Sequence, residues 1–305
     1  MYCRLTQRPL VDDVPSILSA LQRCGDTGTI AFPANQTFNI RSPLDLSSCR
    51  RCGNQINGNL NLSPDWDYWV EAPAVFLISN TSNMVMSSSE GNTGMIDAMD
   101  FGWTRVPDVP VPDRMPNLFS IIDGSYQVYI RNLKIRYAPG TVFHVGSESS
   151  AIRFEDVEIQ SEATTGYLIE NAQHVYIWNS IVRATGSCVK IAPNATNIQV
   201  EDVRCYTVAL NGPPPSEIEL TTSVTGAASW IRNIFVNSFV GTGWMNVVAF
   251  AAAQADLAPQ SLEIKNATFT DISFGDEARQ AVYVEQSSAP LTATVITFRA
   301  FTGTV

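Results

Sequence analysis

The sequence predicts an all-β fold, a right-handed parallel β-helix (solenoid) with a short N-terminal capping helix. A repeat carries most of this. Six segments share one eight-residue pattern: Val128–Ile135, Ile152–Ile159, Val175–Val182, Ile198–Cys205, Ser229–Val236 and Leu262–Phe269. The third position is apolar (Ile130, Phe154, Ile177, Val200, Ile231, Ile264), and the eighth is apolar or Cys. The fifth is always Asn or Asp: Asn132, Asp156, Asn179, Asp202, Asn233, Asn266. Successive starts lie 24, 23, 23, 31 and 33 residues apart. A period in the low twenties marks stacked structural units. Each unit carries short alternating strands and no helical stripe. An Asx at one fixed point suits a recurrent bend, because Asn and Asp tolerate left-handed backbone and bond their own main chain. Composition agrees: 16% charged and 45% hydrophobic residues suit a coil with an apolar inner face all round. The two longer spacings read as loops inserted on one side.

In chain order, Asp12-Asp13-Val14-Pro15 reads as a helix start, with Asp at the cap and Pro in the first turn. The helix, about residues 14–23, places Ile17, Leu18 and Leu21 on one face and ends at Gly25. It plugs the N-terminal end of the solenoid, which would otherwise expose core and strand edges. Strands follow at Thr29–Phe32, Thr37–Ile40, Gln55–Leu60, Val75–Ser79 and Met84–Ser87. Pro107, Pro110 and Pro112 make 106–113 an irregular loop, and Pro213, Pro214 and Pro215 stiffen a second one. The clear coils run from about 118 to 285, with further strands at Thr242–Phe250 and Ala281–Glu285. No linker divides the chain, so residues 1–305 are expected to form one β-helix domain. An uncapped C-terminal coil would favour a homodimer.

A net charge of −10 disfavours nucleic acid, anionic lipid and polyanionic glycans at long range. No apolar run reaches the length of a membrane-spanning helix. Six cysteines fit three disulfides, expected as Cys3–Cys24, Cys49–Cys52 and Cys188–Cys205, the last on adjacent coils. Free thiols are the alternative. Two His and one CxxC argue against zinc, and no metal or cofactor is expected. Sequons at Asn35, Asn61, Asn80, Asn194 and Asn266 join the cysteines in pointing to secretion or a secretory lumen. No signal peptide opens the chain, and Met1 directly before Tyr2-Cys3 reads as a trimmed start.

Several short segments, in order, resemble the polygalacturonase-like glycoside hydrolases of family 28. They include the 12–18 stretch, Cys24-Gly25, Gly28-Thr29-Ile30-Ala31-Phe32-Pro33 and Ser42-Pro43-Leu44-Asp45-Leu46. Asp67-Tyr68-Trp69, Gly94-Met95-Ile96-Asp97, Pro139 to Val145 with His144, and Trp230-Ile231-Arg232-Asn233-Ile234 continue the likeness, which covers about residues 12–285. The resemblance implies a pectin-lyase-like β-helix and glycoside hydrolysis by paired carboxylates. Its N-T-D, D-D, G-H-G and R-I-K elements align with Ala163-Thr164-Thr165-Gly166, Gly186-Ser187-Cys188, Val208-Ala209-Leu210 and Met245-Asn246-Val247. Each ionisable position is thereby replaced by a neutral one. Glu170, Glu217 and Glu219 are the carboxylates expected near the same face, as solvated groups or as relocated catalysts.

The expected substrate-binding set is Thr165, Tyr167, Ser187, Tyr206, Trp244, Met245 and Asn246. Tyr206, Val208, Ala209, Trp244, Met245 and Val247 make its surroundings apolar. His144, Lys190 and Tyr206 are the candidate catalytic handles, each with a bland alternative: satisfied within a coil, solvent-facing, or packed beside Cys205. Trp178 and Trp230 read as packing residues. Two functions from different classes fit. One is a cyclase or pericyclase holding an apolar small molecule, working by orientation and a carbonyl hydrogen bond. The other is a secreted, non-hydrolytic pseudo-glycosidase that binds a neutral glycan. A purely structural or immunologically visible cell-wall protein is a third, and a hydrolase with moved carboxylates a fourth.

Overall fold

The computed structural model describes residues 1–8, 11–65, 68–69, 71–89, 94–98, 115–161, 165–207, 216–221, 229–243, 246–251, 261–275, 278–284 and 290–304. Two parallel sheets are wound by the one chain. The first has fifteen strands, and its main path runs from Tyr2–Arg4 to Leu291–Thr302. The second has nine strands, from Leu44–Asp45 to Gln280–Val284. A coil gives one long strand to the first sheet and one short strand to the second: Tyr126–Arg136 then Phe143–Val145, Ser150–Gln160 then Thr165–Ile169. The all-β reading holds, with the helix Val14–Cys24 the one helix of the described residues. No described helix is long and apolar enough to cross a membrane.

Parallel register stacks like on like. Val128 pairs with Ile152, Ile152 with Val175 and Val175 with Ile198, all inward and buried. In the short-strand sheet Phe76, Phe119, Phe143 and Tyr167 form a column with ring centroids 4.7, 5.1 and 5.3 Å apart. That spacing is the strand spacing itself, about 4.8 Å, so aromatic stacking comes with the register. Fully burying each such side chain contributes about 1.5–3 kcal/mol before entropy is counted.

The long strands bend twice, and here the sequence register needs correction. One left-handed column runs through Asn83, Gln127, Ala151, His174, Asn197, Asn233 and Asn266; a second runs through Asn132, Asp156, Asn179, Asp202, Ser238 and Asp271. Ile198 pairs with Ile234 and Val200 with Val236. Asn233 and Asn266 therefore belong to the first bend, not the second, where the eight-residue pattern places them. Asx residues suit both bends equally, so the pattern switches bends once the first also acquires Asn. Their amides form a ladder, Asn266 Nδ2 donating to Asn233 Oδ1 and Asn233 Nδ2 to Asn197 Oδ1, both at 2.9 Å.

At the N-terminal end the helix buries Val14, Ile17, Ala20, Leu21 and Cys24. Asp13 is its cap residue but makes no side-chain cap bond. It accepts instead from the backbone N–H of Asn39 (2.8 Å) and Arg8 (3.2 Å), while Asp12 takes the N–H of Val14 (3.1 Å) and Arg41 (3.0 Å). Gly25 ends the helix at φ −71°, right-handed, not through a left-handed turn. Glycine is needed for space: a Cβ there would sit 2.4 Å from the Leu21 carbonyl oxygen. The expected strand 55–60 is two strands, Gly53–Ile56 and Asn59–Leu62, broken at Gly58. The strand expected over 242–250 begins at Asn246, because Thr242 still closes the preceding long strand. Disulfides join Cys3 to Cys24, Cys49 to Cys52 and Cys188 to Cys205. Of the sequon asparagines, Asn35, Asn80 and Asn194 sit at positive φ in turns, Asn61 lies in a strand, and Asn266 in the amide ladder. Both Pro-rich loops lie outside the described residues.

Candidate functional site

The short-strand sheet positions the site. From the third coil on, its strands open with two consecutive buried residues: Val75-Phe76, Leu118-Phe119, Val142-Phe143, Gly166-Tyr167, Cys188-Val189, Glu217-Ile218 and Val247-Val248. Strict alternation is broken at this point, so residues just before the pair and just after it both face away from the core. Two outer rows result. The first contains Asn117, Thr165, Ser187, Ser216 and Asn246, with Thr165 in register with Ser187 and Ser216 with Asn246. The second runs Ser120, His144, Leu168, Lys190, Glu219, Ala249, Tyr283, each in register with the next.

Two polar clusters occupy this face. At one end His144 Nε2 lies 2.8 Å from Glu170 Oε1, and Nδ1 lies 3.4 Å from Asn117 Nδ2. This network assigns the ring proton to Nε2, which donates to the carboxylate, while Nδ1 accepts from Asn117. Asn117 Nδ2 also donates to Ser120 Oγ at 3.2 Å. The hydrogen bond from His144 holds the Glu170 carboxyl below the usual carboxylate range, against partial burial. These four residues, with Glu71, Met115, Pro116 and Leu168 among others, line a cavity of about 610 Å³. That is within the range of small-ligand sites.

Mid-face, Lys190 Nζ lies 2.9 Å from Glu219 Oε1, and Ser187 Oγ donates to Glu219 Oε2 at 2.6 Å. Both oxygens of this carboxylate are thus engaged. Farther along, Asn246 is almost fully buried and its Oδ1 has no hydrogen-bond partner among the described residues. An acceptor in that state awaits a donor, since an unmet buried acceptor costs about 1–3 kcal/mol.

Glu217 departs from expectation. It does not face outward with Glu219. It is the first of its strand's two buried residues, 0% exposed, between Cys188 and Val247 in the inner row. Neither oxygen has a hydrogen-bond partner among the described residues, and burial raises its carboxyl well above the usual range. Gly241 makes the room: a Cβ there would lie 1.7 Å from Glu217 Oε1.

The other expected residues separate as follows. Thr165, Ser187 and Asn246 share the first outer row, and His144 and Lys190 the second. Tyr167 is a correction: it is fully buried, its ring stacked on Phe143 and its hydroxyl donating to Ser180 Oγ at 3.3 Å, because it is the second inward residue of its strand. Tyr206 belongs to the long-strand sheet, in register with Arg183, whose guanidinium lies 4.8 Å from the ring centroid. Trp178 and Trp230 also lie on that sheet's outer side and do not pack in the core. Trp178 donates to Asp202 at 3.0 Å, and Arg232 stacks on Trp230 at 5.2 Å. Trp244, Met245 and the 208–210 stretch lie outside the described residues, and Val247 is in the core. Sequence reasoning did not connect His144 with Asn117, Ser120 and Glu170. No local motif marks them; the coil length that brings position 144 beside 170 was the available signal.

No protein-family model matches the chain. A probable endo-xylogalacturonan hydrolase A of Emericella nidulans is 28% identical over 204 residues, 64% of this chain and 50% of that protein. Endo-xylogalacturonan hydrolase A of Aspergillus tubingensis is 27% identical over 274 residues, 87% of this chain and 64% of that protein. The chain spans about half the length of the first of these relatives. The crystal structure of endo-xylogalacturonan hydrolase from Aspergillus tubingensis superposes with a TM-score of 0.88 at 21% identity, over 99% of this chain and 84% of that one. The resemblance to family 28 glycoside hydrolases, read from short motifs, is thus matched by relatives of that kind, and the parallel β-helix by a solved structure.

Proposed function

We propose that the outer face of the short-strand sheet is a non-hydrolytic binding cleft for a galacturonan-type polysaccharide. One observation carries this reading. Thr165, Ser187, Ser216 and Asn246 form a neutral, hydroxyl- and amide-bearing row, and the motif resemblance aligns two of them, Thr165 and Ser187, with carboxylate positions of family 28. Hydrolysis needs one carboxyl to protonate the leaving oxygen and another to activate water or attack. Of the described carboxylates nearby, Glu170 is tied to His144, Glu219 to Lys190 and Ser187, Glu217 points into the core, and Glu71 lines the cavity at the His144 end. What remains is a set of directional donors and acceptors along the stacking axis, suited to successive sugar hydroxyls.

The substrate class follows the relatives, whose names specify xylogalacturonan. Against the long-range repulsion of a net charge of −10, Lys190, shared with Glu219, supplies a local cation for a uronate carboxylate. An apolar small molecule fits the described face less well, since its apolar members, Leu168 and Ala249 in the outer row and Met115, Pro116 and Ile122 at the cavity, lie between polar neighbours. Three disulfides and the fungal hydrolase relatives support a secretory route. The test is titration calorimetry with xylogalacturonan fragments, alongside an assay for new reducing ends. Binding without release supports the reading. Release of reducing ends at enzymatic rates, abolished by Glu219→Gln, would make the protein a hydrolase with moved carboxylates and overturn it.

A further inference from the structure

The two polar clusters carry different charge, and this difference bears on what each end of the cleft accepts. The cavity at the His144 end is lined by two carboxylates, Glu71 and Glu170, against one imidazole. His144 donates to Glu170 Oε1; among the described residues none takes Oε2. The side chain of Glu170 is 46% exposed, so this oxygen can meet a ligand. Asn117 and Ser120 complete a wall of hydrogen-bonding groups, and Met115, Pro116 and Ile122 supply apolar surface for a ring. Lys190 is the next but one residue along the outer row from His144, with Leu168 between them. That is two strand spacings, roughly 9.5 Å.

From this arrangement we propose that the His144–Glu170 cavity is a subsite for an uncharged pyranose, such as a side-branch sugar, and that it excludes uronate residues. The proposal rests on the glycan-binding reading of the cleft. A carboxylate-bearing sugar placed there would bring a third negative charge against Glu71 and Glu170, with one imidazole and the partial reach of Lys190, itself paired with Glu219, for relief. A neutral sugar meets no such repulsion. Its hydroxyls donate to Glu170 Oε2 and exchange bonds with Ser120 and Asn117, and bonds to an ionised acceptor are the stronger kind. A charged backbone sugar is accommodated at the Lys190 end instead. Selectivity of this sort comes from a repulsive element as much as from attraction.

The experiment compares two probes by calorimetry: an unbranched galacturonate oligosaccharide and a backbone of equal length carrying xylose branches. The wild-type protein is expected to favour the branched probe at low salt. Glu170→Gln, which keeps the shape and removes the charge, should raise affinity for the unbranched probe roughly three- to tenfold and narrow the preference. Raising ionic strength should narrow it in the same direction. His144→Gln, an independent variant, should weaken the branched probe selectively, and melting curves confirm that both variants fold. Binding of both probes with equal affinity, unchanged in Glu170→Gln, would overturn the subsite while leaving the glycan-binding cleft intact. Binding of neither probe would overturn both.

Discussion

Glu217 makes stability depend on pH in a direction opposite to most carboxylates. Its side chain is fully buried, has no hydrogen-bond partner among the described residues and has burial as its one cause of shift, so the folded protein holds it neutral. The described residues placed beside it are uncharged: Cys188 and Val247 flank it in register, and Gly241 faces its carboxyl. In the unfolded chain the carboxyl titrates near its ordinary value of 4.5. Above that pH the unfolded state releases a proton that the native state keeps. The native state then binds more protons, so stability falls as pH rises. The contribution is fully present below the unfolded value and is lost progressively towards the raised folded one. Each pH unit inside that window costs about 1.4 kcal/mol. Glu217→Gln keeps the shape without the titration. Urea unfolding of both proteins at several pH values tests this: the difference between them should grow with pH at that slope. Parallel pH profiles would refute the reasoning and mean that Glu217 finds a partner or water on folding. Glu217→Leu should be more stable than wild type at pH 7, because it also removes an unsatisfied buried group.

Gly241→Ala forces a methyl to within 1.7 Å of Glu217 Oε1 and should destabilise by about 1–3 kcal/mol; adding Glu217→Ala should recover part of the loss, a non-additivity visible in a double-mutant cycle by denaturation. Phe143→Ala opens the aromatic column between Phe119 and Tyr167 and should cost about 3–5 kcal/mol by the same measurement. Glu170 behaves oppositely to Glu217: its carboxyl is held low by the bond from His144, so the stabilisation is present above its ordinary value and lost as pH falls through the lowered one. His144→Ala should therefore flatten the acid limb of a melting-temperature profile, and an unchanged acid limb would count against the pair.

Much of the scaffold was legible because the solenoid writes its geometry into local periodicity. Apolar third positions such as Ile130, Phe154 and Ile177 are buried, and the cysteines pair as their spacing allows. The Asx bend is real at Asn132, Asp156, Asn179 and Asp202. The pattern failed at Asn233 and Asn266, since a left-handed bend asks only for a tolerant residue and two bends per strand ask for the same one. The site was less legible. Alternation places Glu217 beside Glu219, outward, and Tyr167 in the cleft. The doubled inward step at the start of each short strand turns both into the core, and that step is set by how the coil closes on its neighbours. The pairs His144 with Glu170 and Lys190 with Glu219 depend on coil length, with partners 26 residues apart in the first case. The sequence alone determined that the fold is a coil and which residues stack over the four regular segments from 128 to 205. The tertiary structure decided which polar side chains meet, because neighbours in a parallel β-helix are one full turn apart, and each turn's length is fixed only when its loops close.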